Sequence, residues 1–134
     1  MNTLAVAPVA ALITTLLVLD GIYLTATAPT SRAVIAAVQG SPLQIRWPAA
    51  AAVYALIAAA VWFFAVAPAA GSPAVAAGRG AAIGAAMYGL YDLTNYATLS
   101  RYPLAFALQD IVWGTVLCAT VAAATVAIAK VTAI

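Results

Sequence analysis

Apolar residues fill four long blocks of this chain, roughly 3 to 28, 47 to 69, 75 to 98 and 103 to 130, and the helix-breaking residues gather between them. A helix that crosses a bilayer needs about 20 mostly apolar residues, so each block is long enough for one span. The pattern predicts an all-α membrane protein, a four-transmembrane-helix bundle forming one domain over residues 1–134, with both termini on the same side. Pro29 and the Gly40-Ser41-Pro42 group bracket a first linker, 29 to 46, with room for a short interfacial helix over Ala33 to Val38 between helices 1 and 2. Pro68, Gly71, Ser72 and Pro73 mark a tight second turn, and Ser100 to Pro103 a third. Pro48 and Pro103 stand at first-turn positions, where a missing N–H costs little.

The polar exceptions inside the blocks are few. Asp20 lies about 8 residues before the end of the first span, Asp92 about 6 before the end of the third, and Asp110 about 7 after the start of the fourth. Those three ends belong to one face of the membrane, and Tyr54 enters the second span from that face too. At a rise of about 1.5 Å per residue, all four helices offer a polar group at roughly 9 to 12 Å depth. The opposite leaflet is nearly pure Ala, Val, Ile and Leu. A charge at membrane depth costs about 2.5–3.5 kcal/mol on insertion scales, so such residues normally face a bundle interior or a watery cavity.

Helical phase places these groups on common faces. Tyr88, Tyr91, Asp92 and Asn95 recur at i, i+3, i+4 and i+7, and Gly80 and Gly84 continue the stripe, a spacing that lets a neighbouring backbone approach closely. Phe106, Gln109, Asp110 and Trp113 form the corresponding face of the fourth span, and Leu16, Asp20, Tyr23 and Thr27 that of the first. Trp47 and Tyr102 fall at the boundary itself and read as aromatic belt anchors. Arg46 and Arg101 read as headgroup or anion contacts. Arg46-Trp47-Pro48 and Arg101-Tyr102-Pro103, each following a span that carries an Asp, also suggest a faint duplication of a helical hairpin.

Composition narrows the function. With 67% hydrophobic and 6% charged side chains in 134 residues, there is no room for a second, water-exposed catalytic domain. Five scattered cations, Arg32, Arg46, Arg79, Arg101 and Lys130, make no cluster that would track a phosphate backbone, so nucleic acid is not an expected partner. The loops favour an N-out, C-out orientation by three cations to two. No His, no Cys pair and no glycine-rich phosphate loop is present, so no cofactor and no nitrogen- or sulfur-ligated metal is expected. An all-oxygen cation site from the three Asp with Asn95 and Thr94 is a minor alternative. Cys118 reads as a small buried hydrophobe. The first apolar run ends in Ala26-Thr27-Ala28, like a signal-peptide cleavage site, but no Lys or Arg precedes it and Asp20 interrupts it, so it reads as a retained helix.

At Tyr88-Gly-Leu-Tyr91-Asp92-Leu-Thr94-Asn95-Tyr-Ala97-Thr98, then Asp110-Ile-Val-Trp113-Gly114-Thr115, with Leu19-Asp20-Gly-Ile-Tyr23-Leu24 upstream, the chain resembles the bacterial predicted-membrane-protein family DUF2177, a domain of unknown function. The resemblance covers nearly the whole chain and implies a four-span bundle in the bacterial plasma membrane. It marks Asp20, Tyr91, Asp92, Thr94, Asn95, Asp110, Trp113 and Gly114 as signature positions. It brings no activity with it, and the first linker here, with only Arg32 and Arg46, is less basic than the family pattern.

The residues point first to an intramembrane ligand pocket in one leaflet, lined by Asp20, Tyr54, Tyr88, Tyr91, Asp92, Thr94, Asn95, Gln109, Asp110 and Trp113. Its ligand would be proton-linked, cationic, or a small polar or lipid molecule. Two other classes stand beside it: an accessory subunit of a larger membrane complex or a homo-oligomer, and a lipid-modifying enzyme with Asp92 or Asp110 as general base. The balance of residues leans away from an enzyme.

Overall fold

A computed structural model describes residues 3–133, with side-chain burial from Val6 onward. Four helices account for most of them: α1 (Thr3–Gln39), α2 (Trp47–Val61), α3 (Pro73–Thr98) and α4 (Leu104–Thr132). No strand occurs among the described residues. Three segments, Val6–Gln39, Trp47–Ala69 and Leu104–Thr132, are long and apolar enough to cross a membrane. α3 is 26 residues long but less apolar, because it carries Arg79, Asp92, Asn95 and four glycines. Two of those glycines, Gly80 and Gly84, let it lie tightly against α4.

The α3–α4 seam explains the glycines. A Cβ on Gly84 would run into the Gly114 carbonyl, one on Gly80 into the Cys118 carbonyl, and one on Gly114 into the ring of Tyr88. Only backbones without side chains at these points can approach so closely, which is how helices gain dispersion contacts where lipid removes the hydrophobic drive. Leu12 and Leu16 of α1, Ile57 and Val61 of α2, and Leu117, Val121, Ala122 and Val126 of α4 form the continuous core beneath the polar layer. Leu17, Ile22, Leu56, Phe63, Leu90, Val112 and Val131 face outward, an apolar exterior suited to hydrocarbon and not to water.

α2 does not end as a regular helix. It passes through a π-helical turn, Trp62–Val66, and a 3-10 turn, Ala67–Ala69. Pro68 has no N–H for the carbonyl of Phe64 four residues earlier. Arg79 replaces it from α3, its Nε donating to the Phe64 oxygen at 2.8 Å. Ala70 and Gly71, both with positive φ, reverse the chain, and Ser72 caps α3 by accepting from the Val75 amide at 3.3 Å.

α1 departs from the expected boundary. Pro29 does not start a linker: the helix runs through it to Gln39, so residues 33–38 are helical as the last turns of α1, and the linker shrinks to 40–46. The proline forfeits one ladder bond, to the Thr25 carbonyl, and long helices tolerate such a loss where packing recovers it. Here Val34 is buried against Tyr102 and Ala107, with Val38 and Phe106 packed around them. A 37-residue helix is about 55 Å long, well beyond a hydrocarbon core of about 30 Å, so the turns after Pro29 extend past the membrane edge over the α3–α4 turn.

Candidate functional site

The three aspartates meet in one layer, as their depths along the helices imply. Asp20, on the buried stripe of α1 one turn beyond Leu16, receives two donors: the Tyr54 hydroxyl from α2 and, at 2.9 Å, the Trp113 indole N–H from α4. Three helices are thereby tied to one carboxylate. One turn further along α1, the Tyr23 ring stacks on Trp113 with centroids 4.6 Å apart and an interplanar angle of 8°. The Tyr23 hydroxyl reaches Asp110 at 3.4 Å and accepts from the Gln109 amide at 3.4 Å.

Asp92 lies at the back of this layer with no exposed surface. The Tyr102 hydroxyl, from the turn before α4, donates to its Oδ1 at 2.5 Å. Tyr102 is itself only 5% exposed and packs edge-on to Phe106 with centroids 5.6 Å apart. Burial, followed by its bond to Asp92, pushes the Tyr102 hydroxyl above its ordinary range, so it stays protonated and able to donate. The second oxygen of Asp92 is buried without a partner among the amides, hydroxyls and ring N–H groups around it. The α3–α4 register, Gly80 on Cys118 and Gly84 on Gly114, puts Asp110 one turn away from it on the facing side of α4.

Beside the layer lies a cavity of about 450 Å³ between α1, α2 and α3, reached from α4 by Asp110. Asp20, Tyr54, Tyr88, Tyr91 and Asp110 give its lining polar groups, and Leu24, Val53, Leu56, Ile57 and Met87 its apolar walls. It exists because α3 is held to α4 while α2 touches α3 mainly through the π-helical turn at the far end. Leu56 and Tyr91, 70% and 60% exposed, stand at its lipid-facing rim.

Most residues singled out from the sequence therefore come together: Asp20, Tyr54, Tyr88, Tyr91, Asp92, Gln109, Asp110 and Trp113 belong to the layer or the cavity. Asn95 is half-buried one turn beyond Asp92, on the Tyr102 side. Thr94 is exposed on another face of α3, in a shallow groove with Gly89, Leu93 and Ala97, and so does not join an all-oxygen cation site. Arg46 and Arg101 are exposed, and the donors to the three carboxylates are all neutral. Tyr102 corrects the reading as a belt anchor: it faces inward because the turn folds it back onto Asp92, whereas Trp47 is 72% exposed as an anchor would be. Tyr23, on the face with Asp20, contributes a donor that the sequence signalled only by its i+3 spacing.

No curated protein and no solved structure matches the chain. A family model does, over residues 5–127, which takes in every residue of this polar layer. The chain belongs to the DUF2177 family of predicted membrane proteins.

Proposed function

We propose that this multi-pass protein, acting as one four-helix unit in the bacterial plasma membrane, binds a small amphiphile in the cavity between α1, α2 and α3. The head, cationic or a hydrogen-bond donor, lies against Asp20 and Asp110; the apolar body lies among Leu24, Val53, Ile57 and Met87. The observation that carries this reading is the cavity itself, whose lining combines two carboxyl groups with apolar walls and a rim that faces lipid. A carboxylate at this depth with only neutral donors leaves its charge uncompensated, and a cationic head is the group that would compensate it. Binding fits better than conduction, because below the layer the bundle is packed with Val61, Ala65, Leu117, Val121 and Ala122, with no polar path to the other face among the described residues.

The test is calorimetric titration of the protein in lipid nanodiscs with long-chain primary amines and with alcohols of the same length. Amines bind the native protein more tightly than alcohols, and that preference falls at least tenfold in Asp20→Asn and Asp110→Asn. Equal affinity for amines and alcohols, or affinity indifferent to both substitutions, removes the ligand reading. An accessory-subunit role is favoured by a separate observation, the shallow groove of Ala85, Ala86, Gly89 and Ala97 on α3, where small side chains leave room for a neighbouring helix and a Cβ on Gly89 would meet open space. A stoichiometric partner that survives mild detergent and is lost in Gly89→Leu would support it.

A further inference from the structure

We infer that Asp92 and Asp110 form a single proton-binding site, a carboxyl pair that holds one proton between its two members and exchanges it through the cavity. Three observations lead there. Asp92 is wholly buried, and its Oδ2 meets no amide, hydroxyl or ring N–H donor. Tyr102 donates to its Oδ1, and the antiparallel register of α3 on α4, Gly80 against Cys118 and Gly84 against Gly114, sets the Asp110 carboxyl beside it on the facing stripe of α4. An ionised carboxylate only accepts, so a hydrogen bond between two carboxyls exists only when one carries a proton. With both ionised, two like charges would face each other in a site without water access on the Asp92 side.

The surroundings leave the pair no other way to balance its charge. Asp20 and Tyr23 face it from α1, Tyr54 lies beyond Asp20 on α2, Tyr88 and Tyr91 flank it on α3, and Tyr102 closes it from the turn. None of the groups acting on either carboxyl is a cation. The two members also differ in access. Asp92 is sealed between α3 and the Tyr102 turn, while Asp110 lines the cavity, so the proton enters and leaves at Asp110. Asp20 is set apart, because Tyr54 and Trp113 already supply one donor to each of its oxygens. This deepens the ligand reading, since a cationic head arriving beside Asp110 would favour release of the shared proton.

The chain has only three acidic side chains, so the site can be read without substitution. The protein is labelled with ¹³C at aspartate Cγ, placed in lipid bilayers and followed by solid-state NMR across a pH series with no ligand present. Two carboxyl signals titrate together and the third moves independently; Asp92→Asn and Asp110→Asn each abolish the joint titration, and Asp20→Asn removes only the independent signal. Three signals titrating independently in the native protein overturn the inference, as does a protonated signal that survives in both Asp92→Asn and Asp110→Asn. Because no amine is added, this result stands or falls apart from the amphiphile titration.

Discussion

The two helical hairpins of this protein are built on opposite principles. α3 and α4 touch along their length, with Gly80, Gly84 and Gly114 bringing backbones together and Tyr88 laid over Gly114. α1 and α2 barely touch, and what joins them near the polar layer is one side-chain bond, Tyr54 to Asp20. The equivalent residues of the two hairpins follow suit: Tyr102 is buried on an aspartate where Trp47 faces outward. If the hairpins arose by duplication, one has become a rigid wall and the other a loosely closed one. The cavity opens where the loose hairpin meets the tight one, so packing density and site position have the same cause.

That contrast can be broken most directly at the seam. Gly114→Val forces a side chain into the Tyr88 ring and should cost about 3 kcal/mol or more, or prevent folding, while Gly78→Val, whose Cβ would meet nothing within 4 Å, should cost about 1 kcal/mol or less. Thermal unfolding in detergent compares them; similar losses would deny the seam its special role. Next in size, Tyr102→Phe removes the donor to fully buried Asp92 and should cost about 1–3 kcal/mol, whereas Trp47→Phe at the matching place should change stability by less than about 0.5 kcal/mol.

Smaller effects sharpen the picture of the loose wall. Tyr54→Phe should lower stability by only about 0.6–1.7 kcal/mol, in line with hydrogen bonds between membrane helices, yet raise amide exchange across Trp47–Val61 well above that of α3. Uniform exchange through all four helices would show that α2 is held by more than this bond. Arg79→Met leaves the Phe64 carbonyl without its Nε donor and should cost about 1 kcal/mol, with exchange rising at the π-helical turn and not at the polar layer.

The sequence was most informative where membrane physics leaves few choices. Block length set the helix count, and the depth of Asp20, Asp92 and Asp110 from the block ends implied the common layer, because helical rise is nearly invariant. Even the outward turn of Thr94 follows from its position two residues after Asp92, about 200° around a helix, although the motif it shares with Asp92 suggested a common role. Less legible was anything that depends on how helices separate. Nothing in the order of residues shows that α2 stands off from α3, and the cavity is that distance. Tyr102 was misread because an aromatic residue at a membrane boundary usually faces the interface, and only the path of the turn brings it inward. Pro29 was misread for a related reason: a proline ends a helix unless distant residues, here Tyr102 and Ala107, make continuation worthwhile.

That uninterrupted first helix has a mechanical corollary. Gln39 and Asp20 are 19 positions apart on one helix, which puts the outer tip and the acid about 28 Å apart along it, with Pro29 the one weakened point between them. A probe fixed to the tip would therefore report movement of the carboxylate as far as the turn at Pro29 transmits it, from a point that reagents in water can reach.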